Sequence, residues 1–307
     1  MRVADLLETG AERLRAAGVA TPRLDAELLL AMALDVDRTA VIAHHDAVVG
    51  DGQVDRFEDA LRRRLGGEPV AYVRGVREFH GLAFAVDPRA LIPRPETELL
   101  VDLAVEELAE RLTSRPRGPG APPVRVVDVG SGGGAVAVAV AVALRRRGML
   151  DEVDLLAVDV STEALDVARE NAVGHGVAHA IRFEAADLLP ADDPTPVDVC
   201  CANLPYVPTA DLAALPALAA EPALALDGGE DGLDVVRRLL DRLAGALAPG
   251  GVALLEIGAG QRDAALALAR ERLPSRDATV LDDLAGLPRV LRVGPVATAA
   301  RSGPGSR

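Results

Sequence analysis

The chain of 307 residues is half hydrophobic, carries a formal net charge of −14, and has arginine as its only strongly basic residue. That length holds roughly two domains at ~100–200 residues each, and so large an apolar share excludes global disorder. The absence of lysine excludes a phosphate-loop lysine, a Schiff-base lysine and a lysine general base. The acidic balance speaks against direct nucleic-acid binding, whose affinity comes from clustered cations that displace counterions.

The N-terminal stretch MRVADLLETGAERL is amphipathic and charged, without the apolar core of a signal peptide. Residues 1 to about 75 are predicted to form a small helical bundle. Thr21-Pro22 marks a helix start, a capping side chain followed by proline at the first position, after which Leu24, Leu28 and Met32 recur on one face. Val54, Phe57, Leu61 and Leu65 trace a second helix, which Gly66-Gly67 ends. Arg62–Arg64 and Arg145–Arg147 are read as solvated helix faces. Phe79, Leu82, Phe84 and Val86 lie in short extended pieces with a glycine between them, the pattern of a hairpin. Pro93 and Pro95 stiffen the approach to a helix from near Glu96 to about Arg111, and TSRPRGPGAPP is a surface connection.

From Val124 strands and helices alternate. Strands are predicted at Val124–Val129, Val153–Val158, Ala180–Glu184, Val197–Ala202, Val252–Ile257 and Arg289–Val293, with helices at about 135–147, 161–174, 233–247 and 261–272. Such alternation predicts a parallel sheet with helices on both faces. AVAVAVAVA alternates like a strand, but alanine fits any period, and the run follows a glycine loop and precedes Arg145–Arg147, so it is read as helix. Its apolar stretch Ala135–Leu144 falls short of the ~20 residues that span a bilayer. The adjacent Cys200 and Cys201 would point to opposite faces of a strand and are not expected to pair. The expectation is a cytoplasmic protein with reduced core cysteines. The predicted division is a helical unit 1–75, a hairpin and linker 76–98, an α/β domain 99–293 and a disordered tail 294–307.

VVDVGSGGGAVAVA is a strand, a glycine-rich turn and a helix. Gly130, Gly132 and Gly134 permit positive φ and let a ligand lie against the backbone, while the helix N-terminus offers free N–H groups. The pattern also satisfies the dinucleotide fingerprint Gly-x-Gly-x-x-Ala. Asp128 separates the two cases, because a carboxylate there repels a pyrophosphate but suits a ligand with an ammonium and a sulfonium. Asp159 ends the second strand, placed to accept hydrogen bonds from ribose hydroxyls of either cofactor. Asp187 ends the third strand, either beside an adenine ring or as a turn acid.

At the end of the fourth strand stands CANLPYVP. Asn203 offers an amide oxygen, Leu204 a backbone carbonyl, Pro205 a fixed φ and Tyr206 a flat ring. A planar NH₂ whose lone pair is delocalised is a poor nucleophile. Two acceptors on its hydrogens orient it, oppose delocalisation and stabilise the charge that grows as it attacks a methyl group. An aromatic face fixes its tilt. The set therefore suits amino-group methylation.

These residues resemble the (N/D/S)-x-P-(Y/F/W) motif of amino-methyltransferases, and the chain resembles the PrmC/HemK family of protein-(glutamine-N5) methyltransferases over about residues 20 to 293. The likeness includes PRLDAELLL, GEPVAYVRGVREFHGLAFAVDPRALIPRPETELLV, AVDVSTEALDVARENA and EPALALDGGEDGLDVVRRLL. It implies an α/β, Rossmann-like S-adenosylmethionine-dependent sheet behind an N-terminal helical bundle that recognises substrate. It implies a cofactor site at Asp128, Gly130, Ser131, Gly132, Gly133, Gly134, Asp159, Asp187, Leu188 and Asn203. It implies a substrate site at Asn203, Leu204, Pro205 and Tyr206, with Asn203, Pro205 and Tyr206 catalytic. The implied partners are class I peptide chain release factors, methylated on the glutamine of their Gly-Gly-Gln motif, and the implied state is a monomer. Leu204 replaces the family's usual proline, and Leu188 stands where many relatives place a tryptophan. Asn-Leu-Pro-Tyr is also the form of rRNA adenine-N6 dimethyltransferases, but those resemble a catalytic domain followed by a small one, with many lysines. A related glutamine methyltransferase of another protein substrate is the nearest alternative. An NAD-dependent oxidoreductase would leave the asparagine motif unexplained. His175 and His179 lie four apart, but Gly174 and Gly176 break the helix that would align them on a metal, so no metal site is expected.

Overall fold

The computed structural model describes residues 1–114, 120–190, 192–215 and 218–296. The chain opens with α1 (Val3–Ala16), α2 (Pro22–Leu34), α3 (Arg38–Ala43), α4 (Asp51–Leu65) and α5 (Val70–Arg74). Their core joins Leu6 and Leu14 of α1, Leu29 and Leu30 of α2, and Phe57 and Leu61 of α4. The buried face of α2 is Ala26, Leu29, Leu30 and Ala33 rather than the expected stripe, and Leu24 is 38 % exposed. Two acids are buried with this face. Asp25 turns inward to Arg64 at 2.8 Å, and Glu27 binds Arg23 and Arg38 at 2.7 and 2.8 Å. Thr21 precedes the helix, but its hydroxyl donates to Asp25 Oδ1 at 2.8 Å instead of capping a backbone N–H. Arg62 and Arg63 pair with Asp59 and Glu68, so the basic run is spent within the chain.

The hairpin follows as β1 (Val76–Phe79) and β2 (Leu82–Ala85), antiparallel, with Gly81 at φ +70° in its turn. A 3₁₀ turn at Pro95–Thr97 leads into α6 (Glu98–Ser114). Part of the proline-rich connection after it, 115–119, and the expected tail from 297 onward lie outside the described residues.

The α/β part runs β3 (Val124–Val129), α7 (Ala135–Arg146), β4 (Val153–Asp159), α8 (Thr162–Gly174), β5 (Ile181–Ala185), β6 (Val197–Ala202), α9 (Thr209–Leu212), α10 (Asp234–Ala246), β7 (Leu247–Glu256), α11 (Arg262–Arg272), β8 (Asp277–Asp282) and β9 (Pro288–Gly294). The sheet order is β5-β4-β3-β6-β7-β9-β8. The first five strands are parallel, but β9 runs antiparallel to both β7 and β8, so the sheet is mixed rather than parallel throughout. The edge strand β8 was not expected. Half exposed, it lacks the continuous apolar run by which the buried strands declare themselves. Alternate residues of the central strands feed two cores. Val126, Leu155, Cys201 and Leu254 pack with α6 and α7, whereas Val127, Leu156, Cys200 and Leu255 pack with α10 and α11. The two cysteines thus face opposite ways, free and buried. The Ala-Val run is helical and buried around most of its girth.

Candidate active site

Strand register assembles the site. Val129 pairs with Val158 on one side and Ala202 on the other, and Ala202 pairs with Leu255. The next residue of each strand therefore reaches the carboxyl edge of the sheet beside its neighbours: Asp159, Gly130, Asn203 and Glu256 in one row. Strand order reverses at β3, the place where open α/β sheets bind ligands.

The glycine loop is tied to this edge. Gly130 and Ser131 donate to the Val158 carbonyl at 2.8 and 2.9 Å, and Gly132 donates to Asp159 Oδ2 at 2.8 Å. The other Asp159 oxygen accepts from Ser161 N at 2.8 Å. Burial raises the Asp159 carboxyl, opposed by these N–H groups. Gly134, at φ +80°, presses on α8, where an added Cβ would stand 2.9 Å from that of Ala168. At Gly132 (φ +53°) an added Cβ would meet nothing within 4 Å, so that side of the loop is open. The cavity beside it is lined by Ile92, Arg94, Thr97, Asp128, Ser131 and Asn203 among others. Asp128 is buried and accepts from Ala137 N at 3.0 Å. Burial pushes its carboxyl up to about 7, Ala137 N–H opposing and the Asp159 charge assisting. The Ser131 hydroxyl is buried and has no hydrogen-bond partner among the described residues. A bare-backbone cradle, an unpartnered hydroxyl and a buried acid fit a cationic nucleoside ligand.

A strap of residues 86–94, between β2 and the 3₁₀ turn, lines this cavity with Leu91, Ile92, Pro93 and Arg94. Arg94 and Ile92 N bind the buried Glu221 carboxylate, the latter at 3.0 Å. Asn171 holds the strap's root, donating to Gly133 O at 2.9 Å and accepting from Ala85 N at 2.7 Å.

The Asn-Leu-Pro-Tyr turn faces the loop. Asn203 Nδ2 donates to Thr97 Oγ1 at 3.0 Å, and Thr97 is 3 % exposed. The Leu204 side chain is buried, 4 % exposed, and packs onto Gly130, so the leucine is a core residue as well as the bearer of a backbone carbonyl acceptor in the turn. The Tyr206 carbonyl accepts from Gln261 Nε2 at 3.1 Å, and Gly258 N donates to Gln261 Oε1 at 2.8 Å. Gly228 and Gly232 allow the turn to lie close: a Cβ on either would come within 2.7 Å of Pro205 O or 2.3 Å of Tyr206 O. Burial, then the nearby Glu256 charge, pushes the Tyr206 phenol up to about 12, so the ring is neutral at pH 7.

Asp128, the glycine loop, Asp159, Asn203 and Leu204 are therefore gathered, with Pro205 and Tyr206 following in the same turn. Asp187 is exposed and ion-paired with Arg238 of α10, the pattern of a surface acid, and Leu188 packs into the core with φ +66°. Sequence reasoning missed Thr97, Glu221, Glu256 and Gln261. Glu221 and Thr97 lay within family-like segments, but nothing local marked their partners.

A seven-stranded sheet of this order with its glycine loop and Asn-Leu-Pro-Tyr turn defines a methyltransferase of the class I S-adenosylmethionine-dependent fold. Residues 5–75 match the PrmC N-terminal domain, and residues 126–221 match a methyltransferase domain. The release factor glutamine methyltransferase of Moorella thermoacetica is 39 % identical over 292 residues, 94 % of this chain and 97 % of that one. That of Deinococcus radiodurans is 40 % identical over 293 residues, 95 % and 98 % of the two chains. The hMettl16 catalytic domain in complex with MAT2A 3'UTR hairpin 6 is 15 % identical with a TM-score of 0.52, over 81 % of this chain and 84 % of that one, a likeness of fold alone. The chain belongs to the release factor glutamine methyltransferase family.

Proposed function

We propose that this enzyme transfers a methyl group from S-adenosylmethionine to the side-chain amide nitrogen of the glutamine in the Gly-Gly-Gln loop of class I release factors. Bound at the glycine loop, that cofactor supplies a methyl on a sulfonium, open to displacement by a nitrogen nucleophile. Gly130 to Gly134 would receive it against bare backbone, Asp159 would take its ribose after exchanging the loop N–H contacts, and Asp128 would face its cationic end. Leu188 would border the adenine in place of the tryptophan of many relatives, and Asp187 would sit at the edge of that site.

The carrying observation is the hydrogen bond from Asn203 Nδ2 to Thr97. It uses the nitrogen end of the amide and leaves Oδ1 as the free end. Oδ1 and the Leu204 carbonyl then accept the two hydrogens of the substrate NH₂, Pro205 holds the turn, and Tyr206 packs on the amide plane. Opposing delocalisation of the nitrogen lone pair raises its reactivity, and the same acceptors stabilise the charge that develops during attack. The proton leaves readily once nitrogen is cationic.

Residues 1–75 serve in this reading as the substrate-recognition unit, and the two buried cysteines suit a reducing compartment. Among the described residues no helix is long and apolar enough to cross a membrane. The test is mass spectrometry of a class I release factor after incubation with the enzyme and isotopically labelled S-adenosylmethionine. A single methyl on the Gly-Gly-Gln glutamine is expected. Label appearing on adenine in RNA, with the release factor unmodified, would reject the substrate.

A further inference from the structure

Glu256 stands in the same row as Gly130, Asp159 and Asn203, and the chemistry described so far leaves it unused. It is 1 % exposed, and neither carboxyl oxygen has a hydrogen-bond partner of ordinary geometry among the described residues. A carboxyl buried without partners is costly and calls for a reason. Burial pushes it up to about 7. Against burial pull the Thr97 hydroxyl, the Arg289 charge and the Tyr206 hydroxyl, while Glu96 adds a like charge. Arg289 is engaged elsewhere, binding Asp283 at 3.1 and 3.2 Å. The hydroxyls of Thr97 and Tyr206 are the neighbours left to serve the carboxyl.

Hydrogen-bond direction then decides what Glu256 does. Thr97 Oγ1 accepts a hydrogen from Asn203, so its own hydroxyl hydrogen needs another acceptor. The Glu256 carboxyl, set level with Asn203 by strand register, drawn on by the Thr97 hydroxyl and otherwise unpartnered among the described residues, is the group placed to accept it.

We infer that Glu256 is a positioning residue: as a carboxylate it takes the hydroxyl hydrogens of Thr97 and Tyr206, confines Thr97 to accepting from Asn203, and so holds the Asn203 amide oxygen toward the substrate nitrogen. This rests on the amide-methylation reading. Protonated, Glu256 can itself donate to Thr97. The threonine hydrogen is then released toward Asn203, and the amide is free to turn over.

The test uses the full-length enzyme, a release factor and saturating S-adenosylmethionine, because Asp128 titrates in the same range beside the cofactor loop. Wild-type kcat should fall as pH drops below 7. Glu256→Gln should lower kcat roughly 10- to 100-fold, the scale of a misoriented reacting group, leave KM for the release factor within about twofold, and abolish the acid limb. Thr97→Val should lower kcat too, Thr97→Ser should restore it, and the Glu256→Gln/Thr97→Val double variant should lose less than the product of the single losses, since the two act as one chain. Melting temperature and S-adenosylhomocysteine binding confirm that each variant folds, and the threonine variants carry the test should Glu256→Gln unfold. Wild-type kcat with an unchanged pH profile in Glu256→Gln, or fully multiplicative losses, would overturn the inference. A wild type inactive on the release factor would instead remove the amide-methylation reading beneath it.

Discussion

The Leu204 side chain fills the space that a methyl on Gly130 would need: its Cδ2 lies 2.9 Å from the position of that missing Cβ. The cofactor loop and the substrate turn are thereby packed against each other, though 74 positions separate the two residues in the chain.

Gly130→Ala should therefore suffer twice, from a φ of +70° and from collision with Leu204. A loss of about 1–3 kcal/mol is expected, with weaker cofactor binding because the loop must shift. Urea unfolding and calorimetry with S-adenosylhomocysteine measure both. A variant as stable and as tightly binding as wild type would mean that the two segments are not pressed together.

Leu204→Pro restores the commoner family residue, and the proposed chemistry of the turn uses only the carbonyl there. The buried side chain says that stability will nonetheless fall, by roughly 1–3 kcal/mol of lost packing. The expected pattern is a lower unfolding midpoint with kcat within a few-fold of wild type. A large loss of kcat without loss of stability would show that the leucine acts on the chemistry itself.

Asn203→Ala should lower the methylation rate by about 10²–10³, the scale for removing one preorganised transition-state hydrogen bond. Cofactor affinity, measured in the same variant, separates this loss from any effect on the neighbouring loop. Retained turnover with normal binding would leave the Asn203 amide without a catalytic part.

Asp128 carries a pH signature. Its folded carboxyl sits at about 7, above the ordinary 3.8, so its contribution to stability is fully present below about pH 4 and is lost as pH rises through 7. The slope is at most ~1.4 kcal/mol per pH unit for one proton. Asp128→Asn keeps an acceptor for Ala137 N and removes the titration, so the variant should gain stability relative to wild type between pH 5 and pH 8. A cationic cofactor favours the charged acid, so wild-type affinity for S-adenosylmethionine should weaken as pH falls below 7, and the variant should not show this. Parallel pH profiles in the two proteins would place the titration elsewhere.

Much of the chemistry was legible because it is contiguous. A glycine-rich βα turn, an acid at the end of the next strand and an Asn-Leu-Pro-Tyr turn are each contiguous motifs, so residue types and spacing were enough to point to a methyltransferase. The buried strands and the α7 helix were likewise readable from apolar runs and their flanking glycines. The half-exposed strand β8 and the antiparallel course of β9 were not, because an edge strand with one wet face carries only a weak pattern. Nor was the inward turn of α2, where Asp25 and Glu27 are buried in ion pairs with arginines distant or exposed in the sequence pattern. What only the tertiary structure settled is the support of the site. Thr97, Glu221 and the stretch from Glu256 to Gln261 come from three separate parts of the chain, and strand register places the last of them: Ala202 pairs with Leu255, which brings Glu256 level with Asn203. A shift of one residue would turn that carboxyl to the other face of the sheet. No local stretch of sequence specifies such a register, because it is set by the fit of both sheet faces at once.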